Sequence, residues 1–381
     1  MCTTIVHAGQ KCARLAKKFP PRCETSCILS TWFHSTTTGI SMRTFISIAV
    51  MLCITTAVLA EDKKETPKLT AKEVTDGWLM LFDGESTYGW EVKDNASVNP
   101  NGWLVVAPSQ SVNLSTKASF GPGKLRVTYT TLADCQITAS SSKLVLKPSE
   151  KPATELFDLL PDQPRPITIT APKEAALIIH LLLFQPVDTK PIFDGKTLDG
   201  WKLFDGNPKQ KLSKFEVTKD GELHLTNGPG DLQTTGKYAD FVLQLECKTN
   251  GKALNSGIFF RCIDGQYQNG YECQIHNGFK DDDRTKPSDF GTGAIYRRQA
   301  ARKVVANDNE WFTLTLIANG PTFATWVNGY PTLVWTDDRA KDDNPRKGLR
   351  LGAGHLSIQG HDPTTDILFR NLRLAESKAK K

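Results

Sequence analysis

The 381-residue sequence lacks three features that would indicate other classes of protein. Its C-terminal half has no long segment with apolar residues at helical spacing, and no apolar run reaches the ~20 residues that a membrane span needs. Away from its ends the chain also has little net charge. The formal charge of +6 is accounted for by lysines and arginines in residues 1–43 and in the tail. Because the remainder is close to neutral, the sequence gives no electrostatic indication of nucleic-acid binding.

The N-terminal region has the pattern of an export signal that begins at an internal methionine. Arg43 supplies a positive charge, residues 45–59 form a short apolar run, and Ala60 ends a small-residue cleavage site. We interpret residues 1–41 as a mis-called extension and 42–60 as a signal peptide, followed by a polar linker at 61–72. The mature protein is then periplasmic or extracellular and has no stable membrane span. The alternative is a single-pass N-terminal anchor.

Few cysteines remain after such cleavage. Of nine in the full sequence, four lie beyond residue 60: Cys135, Cys247, Cys262 and Cys273. Cys262 and Cys273 flank a predicted hairpin loop, so they could form a disulfide in an oxidising compartment. Buried free thiols fit the sequence equally well, because free cysteine behaves as a small apolar residue.

A repeat divides the mature chain. Phe82-Asp-Gly leads to Trp90 and Phe193-Asp-Gly leads to Trp201, with eight positions from Phe to Trp in both. Similar strands follow each match, which predicts a duplicated β-domain. We assign 73–187 to a smaller, degenerate N-terminal β-domain, 188–376 to the second domain and 377–381 to a basic tail. The apolar stretch 176–184 is compatible with a buried strand or a short buried helix.

Short alternating runs separated by tight turns fill the second domain. Turn dipeptides such as Asn269-Gly270, Asn319-Gly320 and Asn328-Gly329 stand between them. Many short strands without helices predict an all-β fold in which two antiparallel sheets bury each other's apolar faces.

One pair of predicted strands carries unusual polar residues. Alternation places Glu272, Gln274 and His276 on one face of their strand, and it aligns Asn255 with Arg261 on the preceding strand. If the two strands pair, Arg261 lies nearly opposite Glu272. Both would then face a sugar-sized hollow, and a catalytic site of this kind depends on that arrangement. The alternative is a cross-strand ion pair worth ~0.2–1 kcal/mol.

Two later segments add further candidates. Residues 351–363 bring Gln359 and His361 together with several glycines, which allow a backbone to approach a ligand closely. The acidic run Asp281-Asp-Asp-Arg284 fits a calcium site or, more simply, a solvated loop.

Several strings together resemble the 3-keto-disaccharide hydrolase family, whose fold is a concanavalin-like, LamG-like jelly-roll sandwich. The similarity covers about residues 188–376 in consistent order, whereas the first copy matches only at its start. The strings are Phe193-Asp-Gly with Gly200-Trp201, Asn255-Ser-Gly-Ile-Phe-Phe-Arg261, Gly270-Tyr-Glu-Cys-Gln-Ile275, Gly293-Ala-Ile-Tyr296, Glu310-Trp311, Trp326-Val-Asn-Gly329 and Phe369-Arg-Asn-Leu-Arg373.

The resemblance implies chemistry on glycosides whose C3 hydroxyl is already a ketone. A base removes the acidified C2 proton, the enolate expels the C1 substituent, and water later adds. Glu272 or His361 is the expected base, and Arg261 or a bound divalent cation is expected to stabilise the enolate. Sugar hydroxyls are expected to bind to Asn255, Gln274, Tyr296 and Gln359.

A second class of function remains open. The same sandwich often only binds sugars, and fold does not determine function, so a non-catalytic lectin-like carbohydrate-binding module is the alternative. A polar face with an acid and an imidazole favours the enzyme, whereas exposed tryptophans without a carboxylate would favour the lectin. We interpret Trp201, Trp311 and Trp326 as core residues.

Overall fold

The computed structural model describes residues 68–92, 96–106, 111–173 and 175–377. The predicted extension, the signal peptide, most of the linker and nearly all of the basic tail lie outside these ranges, so they stay predictions. Helix is confined in the described ranges to α1 (Ala71–Thr75) and a 3-10 turn at Pro208–Gln210. Neither is long and apolar enough to cross a membrane. The all-β prediction is confirmed.

The first sandwich consists of two facing antiparallel sheets. Their orders are β3-β4-β11-β6-β9, with β1 added beside β11, and β2-β5-β10-β7-β8. The strands are β1 (Leu79–Met80), β2 (Trp90–Glu91), β3 (Ala96–Val98), β4 (Leu104–Val106), β5 (Val112–Thr116), β6 (Gly123–Thr131), β7 (Cys135–Ala139), β8 (Ser142–Leu146), β9 (Ser149–Leu159), β10 (Thr168–Ala171) and β11 (Leu177–Pro186).

The second sandwich has sheets β14-β15-β26-β17-β22-β23-β24, with β12 beside β26, and β13-β16-β25-β18-β19, together with a β20-β21 hairpin. Its strands are β12 (Lys190–Pro191), β13 (Trp201–Leu203), β14 (Lys214–Val217), β15 (Leu223–Thr226), β16 (Gly230–Thr234), β17 (Phe241–Thr249), β18 (Ser256–Cys262), β19 (Tyr271–Ile275), β20 (Phe279–Lys280), β21 (Asp283–Pro287), β22 (Phe312–Asn319), β23 (Thr322–Val327), β24 (Tyr330–Thr336), β25 (His355–Gly360) and β26 (Asp366–Glu376).

The two sandwiches share one topology. The order β2-β5-β10-β7-β8 corresponds strand by strand to β13-β16-β25-β18-β19, and β3-β4-β11-β6-β9 corresponds to β14-β15-β26-β17-β22. The second sandwich then adds β23, β24 and the β20-β21 hairpin. The repeat in the sequence is therefore also a repeat of the fold.

Alternation explains which side chains form the first core. Burial alternates along β6, so Leu125, Val127 and Tyr129 point inward while the residues between them are more exposed. The apolar stretch whose structure the sequence left open is strand β11. It lies between β4 and β6 in the middle of its sheet, where Leu177, Ile179 and Leu182 are fully buried.

Each repeat begins with the same turn. The Asp83 carboxylate accepts from the backbone N–H of Glu85 (2.8 Å) and Ser86 (2.6 Å). The Asp194 carboxylate likewise accepts from Lys196 and Thr197, both at 2.8 Å. An Asp side chain that bonds the backbone two and three residues later fixes a tight turn. Sequence and geometry are thus both duplicated.

The tryptophan that ends each turn anchors it to the preceding strand. Trp90 Nε1 donates to the Leu81 carbonyl at 2.6 Å, and Trp201 Nε1 donates to the Ile192 carbonyl at 2.8 Å. Trp90 and Trp201 are buried, as is Trp326, whose Nε1 donates to the Met80 carbonyl at 2.9 Å. All three indoles use their N–H within the protein, which confirms Trp201 and Trp326 as core residues. Trp311 is only half-buried, with the Arg370 guanidinium 3.9 Å from its ring centre.

The two sandwiches share apolar contacts within the unit Asp62–Lys381. The core cluster of the first sandwich includes Val242, Ile317 and Trp326 from the second. Phe120 meets the Trp326 ring edge-on, with 6.0 Å between the ring centroids. The first sandwich therefore completes the packing of β17, β22 and β23.

Replacement of Trp90 by Phe tests the anchor. The variant keeps an aromatic ring but leaves the buried Leu81 carbonyl without its donor, which costs about 1–3 kcal/mol. We expect W90F and W201F to lower the free energy of unfolding in urea by similar amounts. Two variants as stable as the wild type would contradict the anchoring role.

Candidate active site

The outer face of the sheet β13-β16-β25-β18-β19 is polar and yet buried. Strands β16, β18, β19 and β25 are buried at every position, because loops cover the face that points away from the core. Their inward residues, such as Ile258, Cys273 and Ile358, belong to the core. We call the opposite side the polar face; it carries Asp231, Gln233, Ser357, Gln359, Glu272 and Gln274.

Glu272 lies across this face above a glycine. It pairs with Phe259 in the register of β18 and β19. A Cβ atom on the diagonal neighbour Gly257 would stand 2.6 Å from Oε1 and 2.9 Å from Cγ of Glu272. Any larger residue at position 257 would displace the carboxylate, so Gly257 makes the room that Glu272 occupies.

Burial dominates the electrostatics of Glu272. Removal from water raises its pKa to about 8, and the nearby Asp289 carboxylate acts in the same direction. The guanidinium groups of Arg346 and Arg297 lower the pKa but do not offset burial. A carboxyl group whose pKa lies near physiological pH, inside a cleft, is a typical candidate for proton transfer.

A cavity of about 510 Å³ opens in front of Glu272. Its floor is the polar face, and its walls come from three loops and from the end of β25. The polar and aromatic residues that line it include Phe259, Gln268, Glu272, Tyr296, Arg297, Arg298, Arg346, Gln359 and His361. The size suits a small ligand, and the lining offers both hydrogen-bond donors and cations.

The wall segment around Tyr296 is attached directly to the catalytic candidate. Tyr296 N–H donates to the Glu272 carbonyl at 2.9 Å. The Tyr296 ring meets Phe290 edge-on at 5.1 Å, and the Arg297 guanidinium lies 5.3 Å from the centre of the Tyr296 ring. Arg297 has a φ of 57°, a left-handed conformation that is unfavourable outside glycine.

The opposite wall is tied together by arginine contacts to backbone. Arg346 donates to the Gln268 carbonyl at 2.8 Å, and Arg298 donates to the Arg346 carbonyl at 2.9 Å. Gln268 also accepts a hydrogen bond from the Gln359 side chain at 3.1 Å. The loops that carry these residues are therefore held to each other and to the floor.

His361 stands at the rim with its ring oriented by a neighbour. Its Nδ1 lies 2.7 Å from Oδ2 of Asp362. Hydrogen bonds from Thr364, then His361, lower the pKa of Asp362 below its ordinary value. An ionised carboxylate only accepts, so Nδ1 carries the hydrogen in this bond and Nε2 is left for a ligand.

Four of the seven residues predicted from the sequence line this cavity: Glu272, Tyr296, Gln359 and His361. Asn255 and Gln274 are not in its lining. Both amides instead donate to Oδ2 of Asp289, at 2.6 and 2.9 Å. Their contacts fix the loop that holds Asp289 near Glu272, which is a different use from the sugar contacts expected of them.

Arg261 requires a correction. It does not lie opposite Glu272, because β18 bulges between Phe259 and Cys262 and Arg261 takes a φ of 50°. The fully buried side chain binds Asp240 at 2.8 Å and lies 5.1 Å from the Phe323 ring centre. The predicted Arg261–Glu272 arrangement is wrong, and the cross-strand ion pair falls with it. The cavity in front of Glu272 has Arg297 and Arg346 as its cations instead.

The structure also shows the geometry of the four cysteines and of the acidic run. Cys135, Cys247, Cys262 and Cys273 are buried free thiols. The acidic run lies on the exposed β20-β21 hairpin, where Lys286 pairs with Asp281 at 3.2 Å. Across the described ranges, no group of three or more His, Cys, Asp or Glu side chains could hold a metal ion.

Sequence reasoning missed Gln268, Arg297 and Arg346 in the cavity lining and Asp231 beside it on the polar face. Asp231 is buried on the polar face opposite Gln359, and burial raises its pKa to about 7. Its signal was available, since Asp231-Leu232-Gln233 alternates like the other strands. The remaining three lie on irregular loops, where no periodicity indicates which way a side chain points.

Arg261→Ala tests whether this residue stabilises the fold through its ion pair with Asp240. Loss of the buried cation leaves Asp240 without its ion-pair partner, so we expect the free energy of unfolding to fall by about 3 kcal/mol. Exposed Arg373, which binds Thr189, is the matched control, and R373A should change stability by less than about 0.5 kcal/mol. Unchanged stability of R261A would contradict the structural role.

Glu272→Gln tests the burial of the carboxylate without any ligand. The folded-state pKa of about 8 exceeds the ordinary value of 4.5, so the group stabilises the fold below pH 4.5. That stabilisation is lost as the pH rises through 8. We therefore expect E272Q to be more stable than the wild type by about 1–3 kcal/mol near pH 8.5, with the difference shrinking toward pH 5. Thermal unfolding across this range measures it, and a pH-independent difference would count against a buried titrating Glu272.

No curated protein sequence matches the chain. Among solved structures, a provisionally assigned glycosyl hydrolase from Parabacteroides distasonis is similar, with a TM-score of 0.40, 20% identity and coverage of 50% of this chain and 94% of that one. A second from the same organism has a TM-score of 0.35, 23% identity and coverage of 46% and 98%. A carbohydrate-binding module from Bacillus subtilis has a TM-score of 0.32 and 16% identity, and the match covers 47% of this chain and 96% of that one.

A comparison with family models gives a match over the second sandwich, and it confirms the resemblance expected from the strings in residues 188–376. The match supports a carbohydrate-related function for this part of the chain. Residues 188–375 match the model of the 3-keto-alpha-glucoside-1,2-lyase-like domain.

Proposed function

We propose that the second sandwich cleaves 3-keto-glycosides by eliminating the C1 substituent. The observation that carries the proposal is Glu272, a carboxyl group that burial gives a pKa of about 8 and that faces a polar cavity with arginines around it. No hydrogen bond from a described residue occupies the Glu272 side chain, so it is available to a substrate. The match of residues 188–375 to the 3-keto-alpha-glucoside-1,2-lyase-like domain supports the same class of substrate.

In the first step the Glu272 carboxylate takes the proton from C2. The electrons of the broken C–H bond form a C2=C3 double bond and place negative charge on the former ketone oxygen. Arg297 and Arg346 are the cations available to stabilise this enolate. Both line the cavity, and both lower the pKa of Glu272, so their charges act where the proton is removed. A base with a pKa near the working pH combines availability with strength.

In the second step the C3 carbonyl re-forms, a C1=C2 double bond forms and the C1–O bond breaks. The leaving oxygen takes a proton, for which the candidate donor is Nε2 of His361 at the rim when the ring is protonated at both nitrogens. Addition of water across C1=C2 then puts hydroxyl on C1 and hydrogen on C2, which completes a net hydrolysis. Gln359 and Gln268 are placed to bind sugar hydroxyls.

The lectin-like alternative is less well supported by this face. Trp201 and Trp326 are buried and their N–H groups bond to backbone carbonyls, so neither offers a platform for a sugar ring. The polar face carries the buried carboxyl groups of Glu272 and Asp231, whose pKa values are raised. Such groups suit proton transfer, whereas binding a sugar requires no change of protonation. Export to the periplasm or beyond, expected from residues 42–60, is part of the same proposal.

Turnover of a 3-keto-glucoside beside an ordinary glucoside tests the function. We expect release of the C1 substituent from the keto sugar alone. The value of kcat/KM should rise about tenfold per pH unit below pH 8 and level above it, because the ionised form of Glu272 is the base. E272Q should lose about 10²–10⁴-fold in turnover.

Glu216→Gln is the matched control, since Glu216 lies exposed on β14 of the opposite sheet. It should keep wild-type rates. Equal binding of both sugars without turnover of either would support the lectin instead. A rate that falls through pH 8 would show that Glu272 acts as an acid.

A further inference from the structure

The first sandwich contacts the segment that forms one wall of the cavity. Arg302 Nη1 lies 2.6 Å from Oδ2 of Asp83, and Arg302 Nη2 donates to Ser86 Oγ at 2.9 Å. The Asp83 carboxylate is fully buried, and the guanidinium lies 4.1 Å from the centre of the Tyr88 ring. An arginine that is half-buried, paired with a buried carboxylate and stacked on a ring is a strongly constrained contact.

A second ion pair lies beside the first. Lys303 Nζ is 2.6 Å from Oε1 of Glu85, and it stands 4.0 Å from the centre of the Tyr330 ring. The Tyr330 hydroxyl donates to Oε2 of Glu85 at 3.1 Å. Two consecutive cations of the second sandwich therefore meet two acids of a single turn in the first.

Comparison of the two turns shows that Asp83 is more deeply buried than the turn itself requires. Asp194 fixes its own turn with the same backbone bonds while its side chain stays exposed. Asp83 makes those bonds and in addition binds Arg302 from the other sandwich. Asp83 of the first copy thus links the two sandwiches, whereas Asp194 fixes its own turn.

Arg302 lies a few residues beyond Tyr296 and Arg297. The segment between them is a chain of tight turns, in which Ile295 and Gln299 exchange backbone hydrogen bonds at 3.1 and 2.9 Å. Its start is held by the Glu272 carbonyl, through Tyr296 N–H. The left-handed Arg297 within it persists only where the surroundings hold the backbone. At the far end, Arg302 N–H donates to the Thr332 carbonyl at 3.0 Å within the second sandwich, and the Arg302–Asp83 bond adds a hold from the first.

We infer that the first sandwich is a brace for the cavity wall, in which Asp83 and Arg302 act as positioning residues for Tyr296 and Arg297. This role rests on the proposed function insofar as the wall contacts substrate. Neither Asp83 nor Arg302 lines the cavity, so they act through the segment 295–303 and not on the reacting atoms.

Asp83→Asn tests the brace in the full chain. Asparagine keeps an oxygen for the turn but loses the charge that holds Arg302. We expect backbone amides in 295–303 to exchange hydrogen about tenfold faster than in the wild type. Asp194→Asn changes the equivalent turn of the second copy and should leave exchange in 295–303 unchanged. Unchanged exchange in D83N overturns the inference.

Arg302→Met provides a second route that leaves the Asp83 turn intact, and it decides the matter if D83N does not fold. It should accelerate exchange in 295–303 to the same extent. The double variant should be no faster than either single one, because both remove the same contact. Additive effects of the two changes would overturn the brace.

Kinetics with a 3-keto-glucoside distinguish positioning from general destabilisation. We expect D83N and R302M to lower kcat/KM about tenfold, mainly through kcat because Arg297 stabilises the enolate, while D194N keeps both constants. Wild-type values of kcat and KM in D83N and R302M would contradict positioning. If no variant or wild-type protein turns the sugar over, the proposed function fails, whereas the exchange measurement still decides the brace.

Discussion

Keeping the Glu272 carboxyl out of water is the constraint on which the site depends. A charged carboxylate in that position is penalised by desolvation, and the proton is retained until well above its ordinary pKa. The sandwich tolerates this because its core, on the other side of the same sheet, supplies the stability. Gly257 removes the steric obstacle, and loops with arginines remove the solvent while leaving room for a ligand.

Besides the added strands β23 and β24 and the β20-β21 hairpin, longer loops distinguish the second copy of the fold from the first. In the first sandwich Ser140 and Ser141 alone join β7 to β8, whereas 263–270 join the corresponding β18 and β19. The second sandwich also has long connections at 288–311 and 337–354, which carry Tyr296, Arg297 and Arg346. The equivalent sheet of the first copy lacks such walls among its described residues. The cavity in front of Glu272 is therefore built from connections that are longer in the second copy.

The parts of the molecule that repeat a simple rule were predictable from the sequence. Alternation gave the strands and placed Glu272 on the outer face, and the string around Gln359 and His361 marked the end of β25. Arg261 broke the same rule, because a bulge and a left-handed φ turn its side chain into the core. Arg297 and Arg346 could not be found this way, since their positions are set by loop contacts that depend on the finished fold.

Because the core is shared, residues 188–375 depend on the first sandwich for part of their packing. The family match begins at residue 188, between the two sequence repeats, but apolar packing continues across this point through Val242, Ile317 and Trp326. A chain cut there would expose the Trp326 indole to solvent, deprive its N–H of the Met80 carbonyl and leave Arg302 without a counter-ion. Residues of the second copy have become part of the hydrophobic core of the first, so the two copies form one structural unit.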